Sequence, residues 1–257
     1  MVVNARSGQL SNRLVSTAYA LASAIEYRRN IRLTEFDDLK DAYECKVDWP
    51  EKVKIKASWF WAFERWLAGK IKSKFPKFRV PRVVTFWDYT NVNGAERQAD
   101  KLRAFFAPKS DYIGKAVDFM SDIRDHESVV IGVHVRRGDY AQWHGGKFFF
   151  DDGVYSRNMV TLERSFSEKG KKVRFLVFSH EPVNLENYDL ESPVFKSDFN
   201  AIQDHWLMSK CDYLIGPPST FSLWAAFMGK KLLAFIKDRD ENLKLSDFSY
   251  HGLRVEC

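Results

Sequence analysis

Cysteine is scarce. Cys45, Cys211 and Cys257 are the only three in 257 residues. Their number is odd, their spacing is wide, and no Cys-x-x-Cys or histidine-rich pairing accompanies them. This argues against a disulfide framework and a zinc site, and favours a reducing compartment. A run of 18 apolar residues is also missing, so no segment reads as a membrane-spanning helix. Met1 leads directly into a strand-like stretch, Val2-Val3-Asn4-Ala5, without a signal-peptide pattern, and the expectation is a cytoplasmic protein. No internal repeat or low-complexity segment is visible, which sets aside solenoids and fibrous arrays. What is present is a globular composition, 45% hydrophobic and 29% charged, long enough for one large domain or two of moderate size. The net charge of +6 suits an acidic partner without choosing among nucleotide phosphate, nucleic acid and anionic lipid.

Along the chain, the opening strand meets a turn, Arg6-Ser7-Gly8-Gln9-Leu10-Ser11-Asn12. A helix follows whose face is marked by Leu14, Ala18, Leu21, Ala22 and Ile25, and Ser11 or Asn12 can cap it. A strand at Ile31 to Thr34 completes a βαβ spacing. Within residues 35 to 110, Trp59, Phe63 and Trp66 form one helical stripe, and Lys70, Lys72, Lys74, Lys77, Arg79 and Arg82 follow. From Trp59 to Arg82 this reads as a core-facing aromatic helix with a solvated basic edge, or as a basic aromatic face that lies on an anionic membrane or stacks on sugar or base rings. Asn91-Val92-Asn93-Gly94 reads as a turn, with helices expected over 100–106 and 111–123. From Val129 onward the pattern is regular. Strands near 129–135, 173–178, 194–195, 213–216 and 231–236 alternate with helices near 153–169, 201–211 and 219–228, the last ended by Gly229. Such alternation predicts a parallel, doubly wound sheet.

Two places gather chemistry. The strand Val129 to Val135 runs into Arg136-Arg137-Gly138-Asp139-Tyr140. Side chains alternate along a strand, so His134 and Arg136 share one face and Arg137 starts on the other. Ligands of open α/β sheets sit beyond the carboxyl ends of strands, and an arginine there is a fork for phosphate. The plain alternative is an ion-paired turn. The second place is Gly216 to Ser222, where Pro217 and Pro218 stop a strand. Ser219, Thr220 and Ser222 there set three hydroxyls at the positive end of a helix, a cradle for an anion. Ser179, His180 and Glu181 end a neighbouring strand. Asp238-Arg239-Asp240 spells the metal–nucleotide signature of another transferase class, but in so charged a stretch it reads as a solvated loop.

Taken together, these residues resemble family 11 glycosyltransferases, the α-1,2-fucosyltransferases. Gly8-Gln9-Leu10-Ser11-Asn12-Arg13-Leu14 is similar to their GxLxNxL-type opening, and His134-Val135-Arg136-Arg137-Gly138-Asp139-Tyr140 matches HxRRGDY. Asp204, Leu207-Met208-Ser209-Lys210-Cys211 and Ser219-Thr220-Phe221-Ser222-Leu223-Trp224-Ala225-Ala226 resemble the block that closes the family's pattern. Ser11 stands where a glycine is usual, Leu223 replaces the first of two tryptophans, and residues 35–125 show no match.

The resemblance implies a GT-B fold of two Rossmann-like domains facing a central cleft. Residues 1–125 would form the acceptor side and 126–236 the donor domain, with 237–257 packing back on the first. It implies inverting, metal-independent transfer of L-fucose from GDP-fucose to a glycan hydroxyl, with the donor as substrate and no further cofactor. Arg136 would hold the β-phosphate, and Ser219, Thr220 and Ser222 would contact the phosphates. Asn12 would reach into the cleft from the N-terminal domain, and Gly8, Arg137, Ser179 and an orienting His134 would complete the donor set. Asp139 and His144 are the candidate bases, His144 lying ten residues beyond His134, where α-1,6-fucosyltransferases carry a carboxylate. The expected partners are GDP-fucose and a glycan, not nucleic acid, with peripheral contact at the inner face of a membrane through Trp59 to Arg82. Two alternatives stand beside this: the same fold with another nucleotide sugar, or a basic module for nucleic acid or a membrane surface.

Overall fold

A computed structural model describes residues 2–4, 8–28, 30–34, 37–45, 53–56, 83–84 and 90–255. The basic aromatic stretch from Trp59 to Arg82 therefore lies outside the described residues. The chain divides into two units, 1–109 and 110–257. The first contains β1 (Val2–Asn4), α1 (Leu10–Glu26), β2 (Ile31–Thr34), α2 (Asp37–Lys40), β3 (Val53–Lys56), β4 (Val83–Val84), α3 (Val92–Arg97) and α4 (Ala99–Phe105). Its strands are all parallel, in the order β3-β2-β1-β4.

Helix α1 is buried on every side from Leu14 to Ile25, not along one stripe. The sequence permits this because Ser16, Ala20, Ser23 and Ala24, opposite the large apolar residues, are too small to obstruct close packing. The helix starts at Leu10 with Gln9 as its N-cap, one turn earlier than capping by Ser11 or Asn12 would place it, and Ser11 is buried inside it. Asn91, expected in a turn, instead caps α3. Its Oδ1 accepts from the Gly94 amide at 3.0 Å, while its Nδ2 donates to Ser23 Oγ at 2.6 Å and so ties α3 to α1.

The second unit runs α5 (Ser110–Ile123), β5 (Ser128–Val135), α6 (Asp152–Ser167), β6 (Lys172–Ser179), β7 (Val194–Lys196), α7 (Ala201–Lys210), β8 (Tyr213–Gly216), α8 (Thr220–Gly229) and β9 (Leu232–Phe235). Its sheet is parallel throughout, in the order β7-β6-β5-β8-β9. Alternation along the strands sorts the core. Ile131, Val133 and Val135 of β5 pack with Tyr155, Met159 and Leu162 of α6 on one face. Val130 lies on the other, with Leu207 and Met208 of α7 and Leu223 and Ala226 of α8. Ala116, Met120 and Ile123 of α5 belong to that second core. The division therefore falls ahead of α5, earlier than the 125/126 boundary read from the sequence.

Residues after β9 were expected to return to the first domain. They bury themselves in the second unit: Leu243 and Phe248 join the α6-side core, the Leu243 amide donates to Asn158 Oδ1 at 2.8 Å, and Ser249 bridges Leu233. The end of α8 also differs from expectation. Gly229 is still helical, and the left-handed cap is Lys230 at φ 54°. Gly229 is required for another reason, since a Cβ there would stand 2.2 Å from the Ser209 carbonyl oxygen of α7. Two helices touch through that glycine.

Candidate active site

The second sheet reverses its winding between β5 and β8. From β5 the chain proceeds outward to β6 and β7, then crosses back to add β8 and β9 on the other side. In open α/β sheets ligands bind beyond the carboxyl ends of strands at such a switch point. The two segments that leave this point are Arg136 to Tyr140, after β5, and Pro217 to Thr220, after β8. They are brought within contact by close strand packing. Gly216 lies so near β5 that a Cβ there would stand 2.7 Å from the His134 carbonyl oxygen.

Arg136 follows His134 on the α8 side of the sheet. Its Nη2 pairs with Asp139 Oδ1 at 2.6 Å, and its Cζ lies 5.4 Å from the centre of the Tyr140 ring. The Arg136 side chain is 18% exposed and that of Asp139 is 58% exposed. The arginine is thus half-sheltered and already holding an anion, a carboxylate from its own turn. Tyr140 is buried, and its hydroxyl donates to the Pro218 carbonyl at 2.5 Å. It thereby links the β5 turn to the residue that precedes Ser219.

Ser219 caps α8, its Oγ accepting from the Phe221 amide at 3.2 Å. With Thr220 it stands partly exposed at the positive end of the helix. Ser222 differs from expectation. It is 0% exposed, and its hydroxyl donates to the Ser219 carbonyl at 3.2 Å, so it serves the helix turn and presents nothing to a ligand from the surface.

Arg137, on the opposite face, ion-pairs with Asp152 at the start of α6 and reaches the Phe150 carbonyl at 3.4 Å. Asp152 also accepts from Asn187 at 2.7 Å and from the Tyr188 hydroxyl at 3.4 Å. Burial pushes the Asp152 carboxyl up, but the hydrogen bonds from Asn187 and Arg137 outweigh it and hold the group below the ordinary carboxylate value. Arg137 is committed to this network and does not share the Arg136 site. Ser179 ends β6, one strand away from the switch point, and its hydroxyl accepts from the Glu181 amide at 3.1 Å. Gly8 and Asn12 belong to the first unit. Gly8 has φ 77°, and a Cβ there would meet Asn12 Nδ2 at 2.9 Å.

Beneath the α8 terminus lies a ring stack that the sequence did not announce. His134, buried within β5, stacks on Phe221 with centroids 5.0 Å apart and planes 26° apart, and His205 of α7 packs against Phe221 at 4.1 Å. Burial, aided by the Arg136 charge, pushes the His134 imidazole down to about 3, and its Nδ1 has no hydrogen-bond partner. Burial, aided by His134, does the same to His205. Beside it, burial pushes the Asp204 carboxyl up to about 7, against a hydrogen bond from Ser197. The sequence signal for this cluster was parity: His134 and Arg136 share a face, so whatever supports one adjoins the other.

His144 sits on the loop after Tyr140, exposed and in the left-handed region at φ 48° beside Gly145 at φ 66°. Its ring edge rests on Trp143, 4.4 Å between centroids, and Trp143 rests in turn on Tyr140 at 4.7 Å. Among the described residues no group of three or more His, Cys, Asp or Glu side chains could hold a metal ion. No helix of the described residues is long and apolar enough to cross a membrane.

Two parallel Rossmann-like sheets, with the Arg136 turn joined through Tyr140 to the loop ahead of the α8 N-terminus at the switch point of the second, are the architecture of GT-B glycosyltransferases. The model of glycosyl transferase family 11 matches residues 17–243, and the chain belongs to that family. Solved structures share the fold at low identity. Fucosyltransferase NodZ from Bradyrhizobium superposes with a TM-score of 0.61 at 15% identity, over 93% of this chain and 96% of that one. An Arabidopsis thaliana FUT1 mutant in complex with GDP gives 0.60 at 14% identity, over 96% and 73%. POFUT1 in complex with GDP-fucose gives 0.58 at 11%, over 92% and 97%. Among curated proteins none matches the sequence significantly.

Proposed function

We propose that the protein transfers L-fucose from GDP-fucose to a hydroxyl of a glycan acceptor, with α-1,2-type regiochemistry, by one inverting displacement without an obligatory metal. The observation that carries this reading is the joining of the Arg136 turn to the loop ahead of the α8 N-terminus, through Tyr140 at the switch point, in a chain of family 11. The solved complexes of similar fold with GDP and GDP-fucose support the choice of donor. Arg136, Ser219 and Thr220 would stabilise the departing diphosphate, and that electrostatic contribution is the main catalytic one. Asp139, held by Arg136 in the free protein, is released when phosphate takes its place. His144, exposed on a loop with left-handed residues at its tip, is the base we favour for the acceptor hydroxyl. The free thiols of Cys45 and Cys211 support a cytoplasmic setting, and the basic aromatic stretch from Trp59 to Arg82 supports peripheral membrane contact.

The direct test is product analysis. Incubation with GDP-fucose and a panel of galactosides should yield a fucosylated product and GDP, with linkage read by NMR. Turnover of UDP- or ADP-sugars in its place would overturn the donor assignment. Replacing His144 with Ala should lower turnover by roughly 10²–10⁴-fold if it is the base, while full activity would remove it from that role.

A further inference from the structure

We propose that Tyr140 is a positioning residue that locks the two halves of the anion site together and thereby sets affinity for the terminal phosphate of a nucleoside diphosphate. This rests on the donor reading above, and three contacts made by one side chain carry it. The face of the Tyr140 ring lies under the Arg136 guanidinium, 5.4 Å from its Cζ, and adds to the Asp139 ion pair in restricting that side chain. The Tyr140 hydroxyl donates to the carbonyl of Pro218 at 2.5 Å, the residue just ahead of Ser219, which caps α8. Trp143 packs against the same ring, 4.7 Å between centroids.

The chemistry explains why a tyrosine is needed here. Pro217 and Pro218 are both buried and neither has an amide hydrogen, so this loop cannot be tied down through its own N–H groups. The Pro218 carbonyl is an acceptor in a buried place, and leaving it without a donor is unfavourable. The tyrosine supplies that donor from the β5 turn. A single rigid ring then touches both the arginine fork and the loop that leads into the cap of the helix. Without the hydroxyl, the loop is expected to turn its carbonyl toward water and carry Ser219 and Thr220 away from Arg136.

The test compares wild-type protein with Tyr140→Phe, which keeps the ring and removes the hydroxyl. GDP and GMP affinities are measured by calorimetry at a temperature where near-UV circular dichroism shows each protein folded. The expected result is a loss of about tenfold in GDP affinity, equivalent to about 1.4 kcal/mol, with GMP affinity unchanged. Equal losses for both nucleotides would show a merely structural role, and unchanged GDP affinity would show no role; either overturns the proposal. Tyr140→Leu, which also removes the face beneath Arg136, should lose more GDP affinity than Tyr140→Phe, and a smaller loss would count against the ring contact. If wild-type protein binds no GDP, the donor reading itself fails, a result distinct from a Tyr140→Phe variant that binds GDP as the wild type does.

Discussion

Arg136 and Arg137 are adjacent and chemically identical, yet alternation along β5 sends them to different tasks. Arg136 stands at the switch point with Asp139 as its internal anion, while Arg137 fastens the β5 turn to the N-terminus of α6. Substitution should separate them. Arg137→Ala leaves the partly buried Asp152 without its cation and should cost about 1.5–3 kcal/mol of stability, read as a lower urea midpoint, while a folded variant keeps GDP affinity. Asp139→Asn removes the carboxylate that phosphate must displace, and should bind GDP at least as tightly as the wild type. Tighter binding by the wild type would mean that Asp139 serves to aim Arg136. The faces of the two arginines were legible in the sequence, because period-two alternation needs only a correctly placed strand. The roles of Arg137 and Ser222 were not. Asp152 is distant in sequence, and Ser222 was assigned by hydroxyl count when its place one turn inside α8 buries it.

At the scale of elements, the site depends on how closely β8 approaches β5. Gly216→Ala would place a methyl group 2.7 Å from the His134 carbonyl oxygen, with no flexible side chain to yield. Overpacking of this kind costs about 1–3 kcal/mol. Because the strands must part where Arg136 and Ser219 emerge, GDP affinity should fall together with the melting temperature. A variant with wild-type affinity would show that the close approach is not needed for the site. The strands and helices of the second unit were readable from the sequence to within a few residues, since buried β-branched runs alternate there with helical patterns. Helix α1 was placed correctly but read as amphipathic. Its small residues, which permit burial on all sides, look like a polar or indifferent face when the neighbours are unknown. The division between the units was harder to see, because α5 has the apolar stripe of any surface helix and only its packing on α7 assigns it to the second unit.

For the whole molecule, buried titratable groups beneath the site set the response to acid. His134 and His205 are held down to about 3, against an ordinary value near ~6.5. Between those values the unfolded chain binds protons that the folded protein refuses, so their contribution is complete above the ordinary value and is lost as pH falls. Asp204, raised to about 7, acts in the opposite sense: its contribution is present below the ordinary carboxyl value and is lost as pH rises through about 7. Two imidazoles oppose one carboxyl, so urea-derived stability should decline as pH falls from 6.5 toward 4, and His205→Gln should flatten that decline. A slope unchanged by the substitution would contradict the assignment. Of this cluster the sequence showed only the shared face of His134 and Arg136, and Asp204 as part of a motif; the depth of His205 and Asp204 depends on α8 lying across them.

The central claim is that the β5 end and the α8 N-terminus together bind the diphosphate of GDP. The measurement that tests it most directly is thermal stabilisation of the wild type and of Arg136→Ala by GDP, UDP, ADP and CMP. At about a hundredfold excess over Kd, GDP should stabilise the wild type by ~2.7 kcal/mol and the other nucleotides should do markedly less. Arg136→Ala should melt near the wild-type temperature when free and lose the GDP effect. Equal response to all four nucleotides, or a full GDP shift in Arg136→Ala, would contradict the account.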